Sequence, residues 1–337
     1  MDRLISLVLA VGMMLSAGAA SAQSTLRVAH WLSPTAMPIP VFEKWLRSLE
    51  QASKGSLKVQ VFPAGQLGKP NDHYDVARDA IADLSWSVPG FNAGRFPIFS
   101  VIELPMIVSN APEAIYAFDE WYRTRHAQRE MADVHYCMAI TTPVSSLHFT
   151  KKEVVVPADV RGLRLRPQNA TSGRFFSSLG ATIVTGAAAE VKQAVDRGLV
   201  DGVAFPWRTL FNFSLQNDLR FHLDLPLASG PSAWVMNKRT YNALSGDAKA
   251  AVDSHCTADW ARRIVREWDD WDSVGRKDLQ AAGHKITNPN EQQRALWRAA
   301  TLAAYDGWVK DAQKAGVNGR AELDEFQKRL RERNAGF

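Results

Sequence analysis

The stretch VRGLRLRPQNATSGRFFSSLGATIVTGAAAEVKQAVDRGLVDGVAFPW, residues 160–207, decides how the chain is read. Within it Leu163 and Leu165 alternate with Arg164 and Arg166, which predicts a short strand carrying both arginines on one face. Pro167 ends that strand. Helical spacing returns over 171–179, a short strand fits 181–184, a second helix fits 188–197, and 203–205 reads as another strand. Strands alternating with helices imply an α/β architecture of mainly parallel sheets. Arg166 stands at the carboxyl end of its strand, outside which ligands of such sheets bind. A guanidinium there takes a carboxylate bidentately and stays charged at any relevant pH. On spacing alone the same arginine fits a surface or interdomain salt bridge equally well.

The same alternation extends toward the N-terminus. A strand over 26–28 leads to His30 and Trp31, and Val41, Phe42, Trp45, Leu46 and Leu49 share one helical face. Leu57, Val59 and Val61 alternate as a half-buried strand. Asn71 is placed to cap a helix running to about Ala82, and Leu84, Trp86 and Val88 form the next strand. A helix over 112–131 and a strand over 134–141 repeat the order. Toward the C-terminus, Ser245 opens a helical stripe through Ala251, Val252, Trp260, Ile264, Trp268 and Trp271 that meets no proline before Gly283. One helix of that length would reach roughly 50 Å, long enough to brace two lobes. A further helix over 291–315 presents Leu296, Trp297, Ala300, Ala304 and Trp308. Asp269, Asp270 and Asp272 read as a solvated helical face, and the basic run 328–333 as a solvated helix end.

Composition narrows the class. With 337 residues, 46% hydrophobic and 22% charged, the chain has globular proportions and room for two domains. A net charge of +5 is scattered along the sequence, which favours anionic partners mildly and gives no nucleic-acid footprint. Residues 1–22 have the layout of a secretory signal peptide: Arg3, an apolar run over 4–15, then the small-residue site Ala20-Ser21-Ala22. The apolar run is too short to span a membrane. Export makes a disulfide between Cys137 and Cys256 possible, and two buried thiols fit the sequence just as well. The eight histidines show no paired metal spacing, and no nucleophile or phosphate-loop motif occurs. No cofactor, no metal and no enzyme activity are therefore expected.

Taken in order, seven segments resemble the periplasmic solute-binding component of TRAP transporters, the DctP-like family. They are AGQLGK (64–69), IADLSWSVPGFNAGRFP (81–97), ELP (103–105), GLRLRP (162–167), SLGAT (178–182), AAAEVKQAVDRGLVDG (187–202) and MNK (236–238). The resemblance covers nearly all of the chain after the leader. It implies two α/β lobes braced by a long helix, closing on an organic acid whose carboxylate is gripped by Arg166. The ligand then passes to a membrane permease driven by an ion gradient. Lobe I is expected at 24–143 and 232–271, and lobe II at 144–231 and 272–337, with no nucleic-acid partner and a monomeric receptor in the periplasm.

The chain departs from the sialic-acid and dicarboxylate pattern of that family. Phe205 stands where an asparagine contacts the ligand, and a second arginine is replaced near Ser145. Losing an amide and a cation while gaining Phe205 and Trp207 favours a monocarboxylate with an apolar or aromatic body. Further wall candidates are His30, Trp31 and Trp86 from the first lobe and His148, Ser145 and Gln168 from the second. Three alternatives stay open: a receptor of the same fold feeding a sensor, a ligand that is a sugar acid or diacid, and an exported enzyme using the cleft.

Overall fold

The computed structural model describes residues 23–186 and 188–337, so the leader expected over 1–22 lies outside the described residues. Its strands in chain order are β1 (Ser24–Ala29), β2 (Leu57–Phe62), β3 (Leu84–Ser87), β4 (Val134–Thr141), β5 (Ser145–Phe149), β6 (Arg164–Arg166), β7 (Thr182–Ile183), β8 (Gly202–Phe205), β9 (Phe221–Ala228), β10 (Pro231–Asn237) and β11 (Lys285–Thr287). The longer helices are α1 (Ile39–Ala52), α2 (Ala111–Arg125), α3 (Ala170–Ser178), α4 (Gly246–His255), α5 (Ala258–Ala281), α6 (Glu291–Lys314) and α7 (Gly319–Glu332).

Two sheets result, in the orders β2-β1-β3-β10-β4 and β11-β9-β5-β8-β6-β7. The expected parallel pairing holds for β1 with β2 and β3, and for β6 with β7 and β8. It fails at one interior strand of each sheet, where β10 and β5 run antiparallel to both neighbours. The cause lies in the crossings. The chain passes straight from β4 into β5 and from β9 back into β10, so each exchanged strand arrives against the grain of its new sheet.

The first sheet carries one extended core that gathers α1, α2, much of α5 and all of the apolar stripe of α7. Phe326 of α7 meets Phe118 and Trp121 of α2, so this helix packs with the first sheet although it falls in the segment 272–337 expected for the second lobe. Trp45 and Trp268 are core residues, as their spacing implied, and Trp121 is buried with them. The second sheet packs through two smaller clusters on either side of β8.

The single long helix expected from Ser245 is two helices. Cys256 ends α4 and is disulfide-bonded to Cys137 of β4, and the Thr257 side chain accepts from Trp260 N to start α5. The bracing role survives in the shorter piece. α5 buries Ala261, Ile264, Val265 and Trp268 in the first core and Leu279 in the second. A second brace was not anticipated: α6 places Trp308, Val309 and Ala312 in the first core and Trp297 in the second, while Leu296 is left exposed. The helix expected after Asn71 is also shorter. Pro70 opens a 3-10 turn and a helix occupies only His73–Arg78, because the chain turns through a left-handed Ala80 at φ 59°.

Candidate functional site

Arg164 and Arg166 share one face of β6, and the structure gives them different partners. Arg164 forms a forked pair with Asp201, Nε to Oδ2 at 2.9 Å and Nη2 to Oδ1 at 2.6 Å. Among the described residues Arg166, two residues on, has one long hydrogen-bond contact, from Nη2 to the Gly186 carbonyl at 3.4 Å. Its guanidinium lies 4.8 Å from the centre of the Phe205 ring, a cation–π arrangement. Burial lowers its pKa to about 10, and among the described residues no carboxylate offsets the lost hydration. The side chain remains a cation at neutral pH. A salt bridge, the competing reading of Arg166, is thereby taken by Arg164.

Local sequence explains how the arginine is held. Pro167 ends β6, and Asn169 caps α3 by accepting from Ser172 N at 2.9 Å. The Asn169 amide also donates to the Ser229 carbonyl on the crossing segment. Between them Gln168 accepts from Ser145 Oγ at 3.0 Å and donates to Thr142 Oγ1 at 3.4 Å, so Ser145 and Gln168 join strand end to crossing strand. Gly202 begins β8 where a Cβ would lie 2.5 Å from the Phe149 ring, which lets β8 run close beside β5.

Arg166 and Gln168 line a cavity of about 770 Å³ together with Asn169, Thr185, Gly186 and Arg174 from the second lobe. Asn71, Gly90 and Phe91 close it from the first lobe. Phe91 was overlooked in the sequence, although it lies inside the quoted segment 81–97. It ends a 3-10 turn opened by Pro89 after β3, the point where a sheet presents ligand-facing residues. Trp31 packs against Phe91 at 5.8 Å and stacks on Trp86 at 5.3 Å with 13° between planes. Trp86 is fixed by its Nε1 donating to Ser232 Oγ at 2.7 Å. His30 is buried just past β1, with its pKa lowered by burial.

Two expected wall residues sit elsewhere. His148 is fully buried between His222 Nδ1, at 2.8 Å, and the Phe205 carbonyl, at 2.9 Å. That carbonyl can only accept, so His148 carries its proton on Nε2, and burial holds its pKa at about 4. Trp207 packs edge-on against His148 at 4.9 Å within the second lobe. Both residues back the strand that carries Phe205. Neither lines the cavity, and Phe205, Trp31, Trp86, His30 and Ser145 do not line it either: Phe205 lies against Arg166, Trp31 against Phe91 and Ser145 against Gln168.

The acidic triplet on α5 is not a uniformly solvated face. Asp272 is buried, not solvated, and accepts from the backbone N–H groups of Trp207 and Arg208. Burial pushes its pKa up to about 7. A second buried carboxyl, Glu103 of the ELP segment, accepts from Thr171 Oγ1 of α3 at 2.6 Å and so links the lobes; burial raises its pKa to about 7 as well.

The arrangement offers a half-buried fork beside which no described carboxylate lies, the Phe205 ring beneath it, amide groups beside it and Phe91 opposite. That is the chemistry of holding a small carboxylate with a flat apolar body.

Residues 28–311 match the family described as bacterial extracellular solute-binding protein, family 7 (DctP). Among solved structures, a TRAP solute-binding protein from Rhodoferax ferrireducens in complex with copurified benzoate is 25% identical, with a TM-score of 0.86 over 93% of this chain and 99% of that one. A marine-metagenome TRAP solute-binding protein specific for aromatic acid ligands, in complex with 3-hydroxybenzoate, is 26% identical, with the same TM-score and the same coverage. Among curated relatives, the outer membrane transporter protein TsaT of Comamonas testosteroni is 22% identical over 85% of this chain and 86% of its own length.

Proposed function

Because this chain belongs to the bacterial extracellular solute-binding proteins of family 7, the receptors of TRAP transport, we propose that it captures an aromatic monocarboxylate between its lobes and delivers it to the membrane permease of its system. The observation that carries this reading is Arg166: a half-buried cation in the cavity wall, resting on Phe205, with no carboxylate beside it among the described residues. The ligand supplies the missing acid. Its ring meets Phe205 on one side and the Phe91–Trp31 wall on the other, which accounts for the aromatic lining better than a sugar acid or a diacid would. The aromatic acids bound by two relatives at 25% and 26% identity support the same choice.

Cavity residues come from both lobes, so the closed state gains contacts that the open state lacks, and ligand shifts the balance toward closure. The crossings at 142–144 and at Ser229 and Gly230 are the flexing points. The leader over 1–22 directs export, and the receptor works in the periplasm as a monomer.

A thermal-shift panel tests this. At a hundredfold excess over its dissociation constant, a ligand adds about 2.7 kcal/mol to stability. Benzoate, 3-hydroxybenzoate and mandelate should raise the melting temperature, and succinate and sialic acid should not. Stabilisation by the diacid or the sugar acid in preference to every aromatic acid would reject the reading.

A further inference from the structure

Asp272 sits midway along a helix that packs in both cores, with its carboxylate buried against the chain leaving β8. Its Oδ1 accepts from Arg208 N at 2.8 Å and its Oδ2 from Trp207 N at 3.2 Å. One turn further on, Gly275 lets the two backbones close together, since a Cβ there would lie 2.8 Å from both N and Cα of Arg208. Helix and strand exit are clasped main chain to main chain. Phe205 lies just upstream of the clasp, separated from it by Pro206, whose fixed φ leaves little slack. The Phe205 ring in turn lies under Arg166.

We propose that Asp272 is a positioning residue for ligand capture: from the brace helix α5 it holds the Trp207–Arg208 backbone and thereby keeps the Phe205 ring in place beneath the Arg166 guanidinium. This rests on the proposed function for what Arg166 binds. It makes the brace part of the site, because any pivot of α5 during closure is passed to the aromatic platform under the anchor.

The charges around Asp272 give the inference a second readout. On its own helix Asp269 raises its pKa, and from the β8 exit Arg208 lowers it, with burial the dominant effect. The Arg208 side chain is paired with Asp278, and Arg276 is paired with Asp224 and lies over the Trp207 ring. His148, His222 and His284, the hydrogen-bonded row beside Trp207, are all held below their ordinary pKa by burial. As a carboxylate Asp272 accepts from both N–H groups. Once protonated, one oxygen turns donor and faces an N–H, so the clasp loosens as pH falls through about 7.

The test is calorimetric titration of benzoate into the full chain, as wild type, Asp272→Asn and Leu279→Ala, near pH 8 and near pH 6. Near the higher pH, Asp272→Asn should bind benzoate roughly tenfold more weakly than wild type. Wild-type affinity should fall toward the lower pH, and the variant's affinity should change less. Leu279→Ala thins the apolar cluster that α5 shares with Phe205 and Trp207 but leaves both Asp272 hydrogen bonds in place; it should lower the melting temperature and leave affinity within about twofold. Asp272→Asn binding as tightly as wild type, or Leu279→Ala losing as much affinity, would overturn the inference while leaving the proposed function intact. Should Asp272→Asn not fold, Glu103→Gln decides: it removes the other carboxyl titrating near neutrality, and a flat pH profile in it would overturn the role of Asp272. A wild-type protein that binds no benzoate at either pH would overturn the proposed function and this inference together.

Discussion

The two lobes are consolidated differently. The first is cross-linked by Cys137–Cys256, across 119 residues of sequence, and folds its helices onto one extended core. The second has no covalent tie, and its sheet packs through two smaller clusters divided by β8. Their contributions to the cleft differ in the same sense. The first lobe presents rings already stacked in its core, Trp31 on Trp86. The second presents Arg166 on a three-residue strand, with a charge that no described carboxylate answers. In the proposed function the disulfide-tied lobe would serve as a preformed wall, and the other would carry the charged arm whose counter-charge the ligand supplies.

The largest effect should come from removing the first lobe's staple. Cys137→Ser with Cys256→Ser should cost about 2–4 kcal/mol in a denaturant titration, because the released loop is long. Benzoate affinity at a temperature where the variant is folded should stay the same. A variant of undiminished stability would break the contrast between the lobes.

The second effect concerns the arm. Arg166→Ala should weaken benzoate binding by about 1.5–3 kcal/mol in a calorimetric titration and leave unliganded stability nearly unchanged. Arg166→Lys should also bind poorly, since an ammonium cannot reproduce the planar fork.

Smaller again is the wall. Trp31→Ala should cost aromatic acids about 0.5–1.5 kcal/mol of affinity by removing the stack on Trp86, and should spare aliphatic acids in a competition assay. An equal loss for both classes would show that Trp31 only shapes the cleft.

The smallest effect should be at Arg164. Its pair with Asp201 is partly exposed, so Arg164→Ala should barely change the melting temperature and should leave benzoate affinity unaltered. A loss of binding as large as that of Arg166→Ala would erase the division of labour along β6.

Much of this organisation is legible in the residues. Alternation placed β6, the proline after it ended the strand, and Arg166 at its carboxyl end follows from those two facts. Which of the two arginines stays unpaired was not legible, because Asp201 is 37 residues from Arg164 in sequence and meets it only when β6 and β8 pair. The Ser245 stripe gave the brace but not its break. Cys256-Thr257 carried a readable N-cap, overlooked because the apolar period continues through it. Asp272 defeats composition altogether: three aspartates within four residues look solvated, and only the approach of residues 207 and 208 at Gly275 buries one of them. Phe91 was hidden for a different reason, since a residue in a turn has no period to mark the face it presents.

A crystal structure of the chain with benzoate tests the central claim most directly. The carboxylate should sit on the Arg166 fork, with the ring between Phe205 and the Phe91–Trp31 wall and the lobes drawn together over it. Benzoate held away from Arg166, in the neighbouring cavity lined by Glu103, Phe175 and Trp308 for example, would contradict it.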